Sequence, residues 1–161
     1  MKNLVSDIAL MTFLMSFTIF ITASAQITIP PDKEQLLKGD SGNQTSIAET
    51  NGLISPQKIL AMKDQLSLTK DQIKKIDEIM KNLPISATVK GQDIVEAEEG
   101  LNNMFQSGNI NEKTLRTKLE RIGKLRAELR FTHLQVYLKA KQILSAKQWE
   151  RLKELQISEV K

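Results

Sequence analysis

His133 is the only histidine in this chain of 161 residues, and there is no cysteine. A tetrahedral or octahedral metal site needs several donors, so His133 cannot build one alone. Tyr137 stands one helical turn on, where a second imidazole would complete an i, i+4 pair. A weak site would need a dimer that brings two copies of His133 to carboxylates such as Glu96, Glu98 or Glu99. Met62, Met80 and Met104 are the methionines expected inside the folded region. His133 projects into an apolar stripe, so the reading its surroundings favour is a hydrogen-bonded histidine in the core or at an interface. Arg126 points into the same stripe. It is expected to pair with an acid on a facing helix, Glu96 or Glu99, or to extend its charged tip to the edge. The run Glu96-Ala97-Glu98-Glu99 reads as a solvated face. It has no partner histidine or nucleophile, so neither an enzyme nor a cofactor is expected.

The group with the clearest binding chemistry is apolar and basic. Phe131, Leu134 and Leu138 recur at helical spacing, and Arg116, Arg130 and Lys141 border them. Apolar area attracts exposed hydrophobic segments, while cations speed encounter with acidic chains and keep the surface soluble. A dimer seam and a client-binding surface fit this group equally well.

The element that positions these residues is one long helix, Asn111 to Ile143. Leu115, Ile122, Leu129, Val136 and Ile143 recur every seven residues, with Leu119, Leu125 and Ala140 beside them. At about 100° per residue these fall in one arc about 120° wide, the stripe a helix buries. With a rise of about 1.5 Å per residue the helix would be about 50 Å long. Phe131, Leu134 and Leu138 lie roughly opposite that stripe, so the helix offers one face to its own core and part of another to something else.

Four helix starts share one device, an apolar residue before the cap and another four positions after it. They are Ile54-Ser55-Pro56 leading to Ile59, Leu68-Thr69 to Ile73, Ile110-Asn111 to Leu115, and Leu144-Ser145 to Trp149. Gln72 and Gln148 stand three residues after their caps, where each completes a capping box. These starts predict a first helix over 55–66, with Ile59, Leu60 and Met62 inward. A second begins at Lys70 and carries Ile73, Ile76, Ile79, Met80 and Leu83. Pro84 is expected to end or kink it. Helix resumes around Gln92 with Ile94, Ala97, Leu101, Met104 and Phe105, reverses at Ser107-Gly108-Asn109, and a final helix covers 146–157.

Residues 1–25 read as a secretory signal. Lys2 opens it, Ile8 to Ile21 are apolar, and Ala23-Ser24-Ala25 fits the small-x-small cleavage rule. Cleavage would leave Gln26 first and no membrane span; the alternative is an uncleaved anchor. No Cys follows to carry a lipid. Residues 26–52 hold Pro30-Pro31, Gly39, Gly42 and many polar residues, and are expected to be a flexible arm, with Glu34 to Lys38 a candidate helical turn within it. Asn43-Gln44-Thr45 matches the N-glycosylation triplet, a pattern common by chance. The helical domain is then 53–161. The formal charge of +4 is too small to argue for nucleic acid. The 4% aromatic content suits slender helices packed with Leu and Ile.

The two capping-box helices echo each other, Leu68-Thr69-Lys70-Asp71-Gln72 at one end and Leu144-Ser145-Ala146-Lys147-Gln148 at the other. Over about residues 53–157 the chain resembles exported helical proteins of the Spy/CpxP family, which carry two Leu-Thr-x-x-Gln motifs. The first motif matches in full at Leu68, Thr69 and Gln72; the second keeps Leu144 and Gln148 with Ser145 for Thr. Pro84 and Gly91 depart from the family's often continuous second helix. The resemblance implies an all-α, elongated helical hairpin with short flanking helices, dimerising into a curved cradle in the periplasm. It also implies a function as an ATP-independent chaperone or an envelope-stress adaptor, binding unfolded proteins or a stress-sensor domain. The alternative within the family is a heavy-metal-responsive regulator. In each case the motif residues are structural.

Overall fold

The computed structural model describes residues 29–42 and 44–159, and over them the protein is all-helical. The expected leader over 1–25 and Asn43 of the glycosylation triplet lie outside the described residues. Among the described residues six helices follow in order: α1 Lys33–Leu37, α2 Gln44–Thr50, α3 Pro56–Ala61, α4 Lys70–Gln106, α5 Glu112–Ile143 and α6 Ala146–Glu159. No described helix is long and apolar enough to cross a membrane.

The helix starts follow from their caps. Ser55 accepts from the Lys58 N–H at 3.3 Å, and Asn111 from the Thr114 N–H at 2.9 Å. At Thr69 the box is closed from both sides, 3.2 Å to the Gln72 N–H and 3.0 Å from the Thr69 N–H to the Gln72 side chain. Ser145 and Gln148 repeat it at 3.3 and 2.9 Å. The first predicted helix is shorter than its pattern: α3 stops at Ala61, and residues 62–67 turn, with Leu66 buried and Ser67 at φ +50°.

The second helix does not end at Pro84, nor does it restart at Gln92. α4 is continuous for 37 residues, with Pro84 inside it. An interior proline loses one backbone hydrogen bond and costs about 3 kcal/mol. Buried Ile76 before it, and Ala87, Gly91 and Ile94 after it, hold both halves against other elements, and Pro84 itself faces solvent.

α4 and α5 pack side by side in three clusters. Ile76 lies in the first with Ala140, Ile94 in the second with Leu129, and Leu101 in the third with Ile122. Numbers rise along one helix as they fall along the other, so the pair is antiparallel. The first cluster, at the base, is the largest: α3 and α6 add Ile59 and Leu152, both fully buried, together with Ile54, Met62 and Leu66. The third, near the turn at 107–111, involves α4 and α5 alone. Its thinness corrects two expectations. Leu119 and Phe105, assigned to buried faces, are 50% and 47% exposed, because no third element covers them there.

The largest correction concerns the arm. Over 29–42 and 44–52 it is built into the fold as a strap along the α4/α5 pair. Leu36 is 2% exposed, packed with Ala87, Ile94, Val95 and Leu129, and α2 lies against α5.

Candidate functional site

The echoed motifs meet at the base. Gln72 donates through Nε2 to Gln148 Oε1 at 2.8 Å, and Gln148 Nε2 returns the bond to Gln72 Oε1 at 3.1 Å. The same amides reach the Ile143 carbonyl at 2.9 Å and the Leu66 carbonyl at 3.2 Å. Each glutamine therefore caps its own helix, ties to the other cap, and donates to a backbone carbonyl at the end of a neighbouring segment. Leu144 is buried and Leu68 half-buried in the apolar cluster beneath. The six motif residues form a structural joint with no reactive group.

Midway along the pair is a charged cluster of Asp32, Lys33, Glu98, Glu99 and Arg126. Arg126 grips Asp32 with both terminal guanidinium nitrogens, at 2.7 and 3.2 Å, and Glu98 at 2.8 Å. Its α4 partner is Glu98, in place of Glu96 or Glu99, while Glu99 takes Lys33 of the strap at 2.6 Å. Hydrogen bonding from Arg126 holds the Asp32 carboxyl below its ordinary value of 3.8 against the opposing effect of burial. Asp32 in turn, with Glu98, keeps the guanidinium more firmly protonated. His133 is half-buried, with Nε2 2.6 Å from the Gly39 carbonyl, and Tyr137 donates to Glu49 at 2.8 Å. His133 is thus an interface histidine, and the interface is with the chain's own strap. Glu49, Ser55, His133 and Tyr137 border a cavity of about 360 Å³ with Met80 and Val136. On the other side of the pair, Lys75, Ile79, Val136 and Lys139 line an open groove of about 450 Å³.

Of the predicted binding residues, Phe131 is 61% and Leu138 51% exposed, and Arg130 is exposed beside them. Leu134, between them on the helix, is half-buried. Lys141 is exposed but lies over the Trp149 ring, 4.7 Å from its centre, so its charge is partly engaged by its own chain. Arg116 does not join the group. It stands 14 residues before Arg130, about 21 Å along a helix, and pairs with Glu112 at 3.3 Å. Its apolar neighbours are Leu115 and Leu119, which with Glu112, Arg116 and Glu120 shape a mostly apolar concavity of about 410 Å³ near the turn.

Asp32 escaped the sequence reading, and three residues were read for other roles: Gly39 as part of a flexible arm, Gly91 as a break in helix, and Glu98 as a solvated or metal-facing carboxylate. Gly91 is helical, and a Cβ there would collide with the Leu36 carbonyl oxygen, so it is the point where strap and α4 touch backbone to backbone. Gly39 has φ +73°, and its Cβ would fall 2.7 Å from the Ala87 carbonyl carbon. An apolar residue four positions after an aspartate, followed by a glycine, was the available signal in the strap.

Among the described residues no three His, Cys, Asp or Glu side chains cluster as a metal site. Glu98 and Glu99 are committed to Arg126 and Lys33, and His133 to the Gly39 carbonyl. What the surface offers is contact: exposed apolar side chains among cations on a long helical pair. In comparisons with family models, curated proteins and solved structures, the chain finds no match.

Proposed function

We propose that this is an exported, dimeric binding protein of the Spy/CpxP kind, a helical hairpin that holds partly unfolded proteins, or a partner's extracytoplasmic domain, without nucleotide or covalent chemistry. The observation that carries the reading is the exposure of Phe131 and Leu138, seven residues apart on one face of α5, beside Arg130. Two large apolar side chains this open, on a helix with a buried stripe of its own, offer apolar area to a second chain. Contact would be weak and fast: charge attraction first, then apolar contact, with the client still mobile. The export reading rests on the signal-like residues 1–25, and the family reading on the two motifs.

The test is suppression of aggregation of a chemically denatured client, without ATP, by the protein lacking residues 1–25. Phe131→Ser with Leu138→Ser should cut protection several-fold while helical content stays unchanged. Protection equal to the parent's would remove the surface assignment. Loss of a dimer in the same variant, with protection intact, would make these residues the seam.

A further inference from the structure

The strap fills a site that is built into α4 and α5. Its floor is Ala87, Gly91, Ile94 and Leu129, with the guanidinium of Arg126 at one end and the imidazole of His133 at the other. Each reads one element of the strap. Arg126 takes the Asp32 carboxylate, the apolar floor takes Leu36 four residues on, and His133 takes the Gly39 carbonyl. Gly91 lets the Leu36 carbonyl reach the α4 backbone, and Gly39 lets the strap pass Ala87 without a Cβ.

The occupant is held at a short set of points: the Asp32–Arg126 and Lys33–Glu99 ion pairs, the Leu36 side chain and the Gly39 carbonyl. Within 29–42 the residues that are buried are Pro30, Leu36 and Gly39. α1 has five residues, far too few to persist unless something receives it. The Arg126 and Asp32 side chains keep 38% and 36% exposure, so their ion pair is open to a competing carboxylate. Beyond Gly39 the chain turns at Gly42, φ +76°, where an added Cβ would meet open space and the N–H donates to Asp40 Oδ1 at 2.8 Å. The packing clusters at the base and near the turn contain no strap residue between 29 and 42, so α4 and α5 are joined on both sides of the site without it.

We propose that this slot is a receptor for a partner protein's short helix bearing a carboxylate, a leucine four residues later and a glycine after it, and that Asp32–Gly39 is the resident competitor such a partner displaces. The proposal is independent of the Phe131 face, because Arg126 and His133 mark a different side of α5. It commits to a segment of that chemistry because the chain's own copy is seated there and each of its groups is matched.

The experiment uses the full chain and a fluorescent peptide of residues 29–42, followed by anisotropy. Leu36→Ser in the protein frees the slot, and the peptide should bind that variant at least ten-fold more tightly than the parent, whose strap competes. Adding Gly91→Leu, which fills the slot, should abolish binding, and Asp32→Asn in the peptide should weaken it at least five-fold. A helical peptide of unrelated sequence with Asp, Leu and Gly at these spacings should compete, and one with Asp and Leu exchanged should not. Equal binding by parent and Leu36→Ser, indifference to Gly91→Leu, or failure of the unrelated peptide to compete would each overturn the proposal. Should Leu36→Ser not fold, a protease site inserted between Ser41 and Gly42 keeps the question open to test. The nicked strap, with every side chain in place, must exchange with the labelled peptide, and retention of the original strap under excess peptide sinks the idea.

Discussion

The side-chain amides of Gln72 and Gln148 face each other and exchange two hydrogen bonds, at 2.8 and 3.1 Å, across 76 residues of sequence. Each also closes the capping box of its own helix. The repeat in sequence is therefore a pair of mutually dependent parts: one motif starts α4, the other starts α6, and their third residues join the two starts.

Mutual dependence predicts non-additivity. Gln72→Ala or Gln148→Ala leaves the other amide and a backbone carbonyl short of a partner, a loss of about 1–3 kcal/mol. The double variant should cost less than the sum, with a coupling of about 0.5–1.5 kcal/mol. Urea unfolding of the four proteins measures it, and strictly additive losses would mean the amide pair contributes nothing beyond two separate caps.

Gly91 and Gly123 are both helical glycines, and they should respond in opposite ways to alanine. At Gly123 the added methyl meets open space, so the gain in helix propensity, about 1 kcal/mol, should appear as stability. At Gly91 it strikes the Leu36 carbonyl. There the strap must lift, and the amides of Leu36 and Gly39 should lose at least ten-fold of their hydrogen-exchange protection. Equal stabilisation by both substitutions would show that strap and α4 do not approach as described.

The Asp32–Arg126 pair makes strap docking depend on pH. The Asp32 carboxyl titrates below its ordinary 3.8 when folded. A depressed acid contributes stability that is complete above the unfolded value and is lost as pH falls through the lower folded one. The Tm difference between the parent and Asp32→Asn should thus be constant above about pH 5 and shrink steadily toward pH 2. A difference that persists unchanged into strong acid would show that Asp32 acts through shape and not charge.

Helix starts were legible because a cap is local: Thr69 and Gln72 meet within one turn. The strap was not, because what orders it lies far away in sequence. Asp32 finds Arg126 94 residues on, and a polar stretch with two prolines gives no sign of that. Gly91 misled for the same reason. Read locally, a glycine weakens a helix; in the fold it admits Leu36, which lies 55 residues earlier. Pro84 is a local breaker overruled by packing on both sides. Leu119 obeys the buried period yet is exposed, since periodicity shows which side a residue faces and not whether anything lies there. In the proposed binding group, the exposure of Phe131 and Leu138 was legible from their place opposite the stripe. Arg116 was placed with them by sign of charge, although it sits four turns away.

The central proposal is that the Phe131 face meets a client protein. A photo-crosslinking phenylalanine analogue at position 131, compared with one at Ile85, exposed to 67% on α4, tests it directly. With a denatured client present, position 131 should give client adducts several-fold above position 85. Equal yields, or adducts at 131 that join copies of this protein alone, would contradict the account.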